Sequence, residues 1–166
     1  MATQSTLDPK LFRDVIGCFA TGVTVVTVAA GERVRGMTAN AVTSVSLDPM
    51  LLLVCVQREG SLHELMAGAS GFAVNILPDD QQSIAELFAA HGELDQPMGG
   101  VPYRISPSGS PILEPALAWL DCSVHERFEG GDHTIVIGRV IDLAVEQRDA
   151  SPLLFFSGRY RHIAEA

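Results

Sequence analysis

Lysine is almost missing from this sequence: Lys10 stands alone, and arginine supplies every other positive charge in a total of 11. Against 20 acidic residues the formal net charge is -9. Such a chain has no basic stripe with which to follow a phosphate backbone, so general nucleic-acid binding is excluded. Cysteine is scarce too. Cys18, Cys55 and Cys122 are odd in number, lie far apart and form no Cys-x-x-Cys pair, which argues against a disulfide framework or a zinc knuckle. No apolar run exceeds Met50 to Val56, far short of the ~18–20 residues that cross a bilayer as a helix. The opening residues, Met1 to Ser5, are polar and lead into no basic and apolar stretch, so no secretory signal is expected. These absences predict a soluble protein of the reducing cytoplasm, with no membrane or nucleic-acid partner.

Several catalytic signatures are also missing. No Gly-x-Gly-x-x-Gly follows a strand, no Gly-Lys-Ser/Thr marks a phosphate loop, and no Gly-x-Ser-x-Gly marks a serine nucleophile. His63-Glu64 has no second histidine four residues after the first, and His125 with His133 lacks a third ligand, so no metal is expected.

What is present is apolar and compact. The 166 residues are 47% hydrophobic and 19% charged, enough for one domain over 1–166 with a core of about 12–160. That is more apolar residue than a small monomer needs to hide, which predicts burial between subunits. Asp8-Pro9 reads as a helix start, with Phe12, Val15, Ile16 and Phe19 on one face and Thr21-Gly22 ending it. Val23 to Val28 is β-branched throughout and predicts a strand buried on both faces. Ala30-Gly31-Glu32 turns into a strand from about Arg33 to Ala39, followed by strands over roughly Ala41–Ser46 and Met50–Gln57. Ser61-Leu62-His63-Glu64 reads as a capping box opening a helix to about Ala69. A strand over Phe72–Leu77 and a short helix capped by Asp79 or Asp80 follow. Ala89 to Pro115 reads as a long functional or subunit-bridging loop. Two long strands meet at Gly130-Gly131-Asp132, and a last one covers Leu153–Phe156. Strands without regular helix alternation predict a mainly β, closed or half-closed antiparallel barrel with short flanking helices.

Four segments carry candidate chemistry, each with a plainer alternative. Gly36 to Ser46 mixes small and hydroxylated residues that let a flat ligand approach the backbone; it reads equally as two edge strands in water. Gln57 to Ser61 leads into a helix whose free N–H groups can hold a phosphate, or is simply a cap. His133 after its turn is a hydrogen-bond donor or proton carrier, or a surface residue. Phe156 to Tyr160 closes a pocket with a ring and a guanidinium, or is a polar tail.

Six segments in order resemble the flavin reductase family of FMN-binding split barrels, the reductase partners of two-component flavin monooxygenases. They are Phe12-Arg13 through Thr27; Gly36 to Asn40; Ser44 to Pro49; Phe72 to Leu77; Gly131-Asp132-His133; and Phe156 to Tyr160. The resemblance implies a Greek-key split β-barrel, a homodimer with flavin at the subunit interface, and transfer from NADH or NADPH to FMN or FAD for a separate monooxygenase. It implies that Thr38, Ala39 and Asn40 line the flavin, that Ser44, Val45 and Ser46 touch its ring and ribityl chain, and that Cys55, Val56 and Gln57 hold the next edge. Ser61 would receive the phosphate, and His133 with Arg159 and Tyr160 would face the nicotinamide, His133 as the catalytic residue. Asp48-Pro49-Met50 departs from the two prolines frequent in the family, and Gly92 to Tyr103 does not match its charged, aromatic stretch. An electron-carrier or sensor module on the same fold, without turnover, is the alternative reading.

Overall fold

The computed structural model describes residues 7–90 and 94–164. Seven antiparallel strands form the main sheet: β2 (Thr24–Ala30), β3 (Arg33–Ala39), β4 (Val42–Leu47), β5 (Met50–Gln57), β6 (Gly71–Ile76), β9 (Ala118–Gly130) and β10 (His133–Val145). Their spatial order is β3-β2-β6-β9-β10-β5-β4. Of three hairpins, β2–β3, β4–β5 and β9–β10, the first and third are joined through β6, which lies between β2 and β9, and the second joins the third by pairing of β5 with β10.

The sheet curls. Val26 and Val28 of β2, Ala39 of β3, Val54 and Val56 of β5, Phe72 of β6, Cys122 of β9 and Val136 of β10 share one buried interior. The edge strands β3 and β4 carry no ladder between them among the described residues, and only Asn40-Ala41 links them. Cys55 N donates to Ala41 O there at 3.1 Å. The result is a mainly β barrel, split along one seam. Helix α2 (Ser61–Gly68) plugs its interior with Leu62, Leu65 and Met66.

Strand β2 is buried on both sides, as its β-branched run predicts. Val26 and Val28 face the interior, while Val23 and Val25 belong to a second core under α3 (Gln82–Ala89), with Ile84, Ala85, Phe88 and Leu153. The segment expected to be an open loop is tied down over its described part. It forms a hairpin of β7 (Tyr103–Ile105) and β8 (Pro111–Leu113). The buried Asp121 carboxylate accepts hydrogen bonds from Ser106 Oγ at 2.8 Å, Ser108 N at 3.0 Å and Ser108 Oγ.

Several boundaries differ from the sequence expectation. Helix α1 (Pro9–Ile16) starts as expected, with Asp8 accepting from Lys10 N at 2.8 Å, but ends at Gly17 and not at Thr21-Gly22. Thr21–Gly22 instead form β1, which pairs with β11 (Leu154–Phe156), and β11 pairs with β12 (Arg159–Arg161). The C-terminal segment is thus a hairpin, its turn made by Ser157 and Gly158 at positive φ, where the expectation ended in a single strand. Helix α2 has no capping box. Gly60 is its N-cap and Ser61 the first helical residue, with no side-chain cap bond. Helix α3 is likewise preceded by a 3-10 turn over Asp79–Gln81, and neither Asp79 nor Asp80 caps it.

At the far end of the long hairpin, Glu146 accepts from Trp119 Nε1 at 2.7 Å and from Arg104 Nη2 at 2.8 Å. These two bonds, the Trp119 bond first, hold its carboxyl below the usual range. A carboxylate with a lowered folded pKa adds stability above its unfolded pKa and loses that contribution as pH falls through the folded value. Thermal unfolding should therefore show wild type above Glu146→Gln at neutral pH, with the gap closing as the medium is acidified below about pH 4. A gap that widens on acidification contradicts this account of Glu146.

Candidate active site

A cavity of about 520 Å³ opens where four elements meet. One wall is the end of β3 with its link, Arg35 to Ala41. The second is the end of β5 and the turn into α2: Cys55, Gln57, Glu59, Gly60, Ser61 and Leu62. The C-terminal end of α3, Leu87 to Ala90, and Leu94 form the third, and His133 at the start of β10 completes it.

Local packing explains each wall. Phe88 lies over Gly36 so closely that a Cβ at Gly36 would sit 2.7 Å from its ring atoms. Thr38 Oγ1 donates to Ala85 O at 2.7 Å, fastening β3 to α3. His133 pairs with Gln57 in the β10–β5 ladder, and Arg58 N donates to Asp132 O at 3.0 Å, so the β9–β10 turn is held against the exit of β5.

Asp132 Oδ1 lies 2.7 Å from His133 Nδ1. The hydrogen bond from His133, then its charge, hold the Asp132 carboxyl below the usual range. An ionised carboxylate only accepts, so Nδ1 must carry the proton of this bond. That commits one ring nitrogen and leaves Nε2 to a ligand. Burial pushes the Cys55 thiol up, so it meets a ligand as a neutral wall and not as a thiolate.

The residues fit a phosphorylated flavin in three respects. The volume lies within the ~300–1,000 Å³ of small-molecule sites. Ala39, Ala41, Gly60, Ala89 and Ala90 leave room for a planar ring against backbone. The first turn of α2, at the cavity wall, lacks a side-chain cap; His63 N donates to Gly60 O at 3.0 Å, which leaves the N–H groups of Ser61 and Leu62 for an anion.

Of the residues singled out in the sequence, Thr38, Ala39, Asn40, Cys55, Gln57, Ser61 and His133 come together around this cavity. The others do not. Val56 is fully buried in the barrel interior, because alternation along β5 turns it away from Cys55 and Gln57. Ser44, Val45 and Ser46 lie on edge strand β4, where a register shift leaves Val45 half-exposed outside the cavity. Arg159 and Tyr160 lie on β12; Tyr160 packs edge-on against Phe155 at 5.5 Å in the second core. Burial and then the Glu86 charge push the Tyr160 phenol up. Sequence reasoning missed Arg35 and the α3 wall, and had Glu59 only as part of the segment from Gln57 to Ser61. The apolar face of α3 reads as ordinary core, and only its fit over Gly36 marks it as part of a site.

Among the described residues no cluster of three metal-ligating side chains exists, and no helix is long and apolar enough to cross a membrane.

The model of the flavin reductase like domain matches residues 16–164. The flavin reductase of Pseudomonas putida is 41% identical over 158 residues, covering 95% of this chain and 91% of that protein. The reductase subunit HsaB of the flavin-dependent monooxygenase of Rhodococcus jostii is 36% identical over 157 residues, covering 95% of this chain and 79% of its own length. The solved structure of the Streptomyces globisporus NADH:FAD oxidoreductase superposes with a TM-score of 0.88 at 39% identity, over 99% of this chain and 100% of that one. The chain spans only 50% of a Rhizobium meliloti relative to which it is 42% identical.

Proposed function

The chain belongs to the flavin reductase family, and on that premise we propose that it is an NADH-dependent flavin reductase that supplies reduced FMN or FAD to a separate monooxygenase. The observation that carries the reading is the cavity itself, which joins an uncapped helix start to a carboxylate-oriented histidine across a floor of small residues. The Rhodococcus relative, named as the reductase subunit of a flavin-dependent monooxygenase, supports the partner.

When bound, the flavin supplies the two-electron acceptor. The chain's own residues supply position. The first turn of α2, with Ser61, receives the phosphate. Thr38 to Ala41 and Gln57 present backbone and amide groups to the polar ring edge. Phe88 and Leu87 exclude water from one side. His133, held through Nδ1 by Asp132, offers Nε2 to the nicotinamide carboxamide and holds a proton there. No strong base is required of the protein.

Steady-state rates with each pairing of FMN or FAD with NADH or NADPH test this. NADH should be consumed only when free flavin is added, and NADH oxidation independent of flavin would contradict the reading.

We further propose a homodimer in a cytoplasmic setting, the latter in keeping with three free thiols. Helix α1 buries no residue of its own: Leu11, Phe12, Val15 and Ile16 are all more than half exposed, as is Phe19 beyond it. An amphipathic helix needs a partner for that stripe, and a second copy is the partner the apolar composition predicts. Light scattering should give twice the chain mass, and Phe12→Glu with Phe19→Glu should give one. A monomeric wild type contradicts the dimer.

A further inference from the structure

Helix α2 has one end in the cavity and one end outside it. The N-terminal end has no side-chain cap. The C-terminal end is held firmly. Arg127, on β9, donates Nη2 to Met66 O at 2.9 Å and to Ala69 O at 2.6 Å. Carbonyls at a helix C-terminus have no partner within the helix, and a cation there faces the negative end of the helix dipole. A second tie lies in the first turn, where His63 Nε2 and Thr134 Oγ1 of β10 share a hydrogen bond of 3.0 Å. Leu62, Leu65 and Met66 seat the remaining face in the barrel interior.

Neither Arg127 nor Thr134 lines the cavity. An eight-residue helix is about 12 Å long, so a hold on one end sets where the other end points. The apolar contacts of Leu62, Leu65 and Met66 fix depth in the barrel, but nonpolar packing is not directional. The hydrogen bonds of Arg127 fix position along the helix axis.

We infer that Arg127, assisted by Thr134, is a positioning residue for flavin binding, holding α2 from outside the cavity so that the N–H groups of Ser61 and Leu62 in its first turn stay aimed at the flavin phosphate. The inference rests on the reading that this helix start receives the phosphate. Arg127 also complements the helix dipole at the C-terminal end, which stabilises the last turn that it holds.

The test is a fluorescence titration with FMN and with riboflavin, which differ only in the phosphate. In Arg127→Ala the Kd for FMN should rise about fivefold or more, while that for riboflavin stays as in wild type. Arg127→Lys, which keeps the charge and one donor, should recover most of the loss. Thr134→Val, which leaves Arg127 and the helix end intact, should show the same one-sided loss to a smaller degree. A loss confined to the phosphorylated ligand separates positioning from general damage to the barrel. Arg127→Ala and Thr134→Val binding FMN as wild type does overturn the inference, as does weakening of FMN and riboflavin by one common factor. Wild type binding the two ligands equally overturns the phosphate reading, and this inference with it. A wild type that prefers FMN beside variants that prefer it by the same factor overturns the inference alone.

Discussion

Replacing His133 with alanine should lower kcat/KM for NADH by about 10²-fold and leave the Kd for FMN essentially unchanged. The size follows from what the ring does in the cavity. Asp132 holds Nδ1 at 2.7 Å, so the imidazole enters with one orientation and one free nitrogen. Losing a positioned donor or acceptor at the reacting pair costs about two powers of ten when the geometry of approach is lost with it. The flavin contacts assigned here come from β3, β5 and the start of α2, none of which His133 supports through its side chain. Steady-state kinetics with NADH varied, together with flavin fluorescence titration, separate the two effects. Equal loss of flavin binding and NADH turnover would contradict the role assigned to His133.

The second large effect is expected at Gly36. A methyl group there would lie 2.7 Å from two ring atoms of Phe88 and 3.2 Å from Val25 Cγ1. Val25 is fully buried within β2 and cannot yield, so Phe88 and the end of α3 must move outward. Overpacking of this kind costs about 1–3 kcal/mol of stability. It also shifts Leu87, Phe88, Ala89 and Ala90 together, which form one wall of the cavity. Gly36→Ala should therefore weaken FMN binding by about tenfold, since a ligand held by fit tolerates little displacement of a wall. Thermal unfolding and flavin titration on the same variant check both parts. Unchanged flavin affinity beside a lowered Tm would place α3 outside the site.

These two residues mark where the sequence was legible. His133 stands directly after a Gly-Asp turn between two alternating strands, and local turn chemistry is enough to put it at a strand start. The strands Arg33–Ala39, Met50–Gln57 and His133–Val145 could be bounded the same way, because turn residues or proline bracket each apolar run. Gly36 shows the opposite case. That a glycine sits in a strand can be read, but that a phenylalanine 52 positions later fills its missing side chain cannot. Ser-x-x-Glu suits a capping box with Ser61 as the cap, whereas the turn from Gln57 to Gly60 begins the helix one residue earlier. The resemblance places Val56 in the site with its neighbours, though period-two alternation sends it to the other face. Tyr160 and Arg159 resembled a pocket closure, but the hairpin that carries them forms a separate three-stranded sheet. Tertiary pairing of β11 with β1 decides that, across more than 130 residues of sequence.

The most direct measurement mixes the purified protein anaerobically with FMN and excess NADH and follows the visible absorbance of the flavin, with no other protein present. Complete bleaching at a rate proportional to protein concentration is predicted. Persistent flavin colour with NADH and with NADPH, using FMN and FAD alike, would contradict reductase turnover in a chain that still folds as this split barrel.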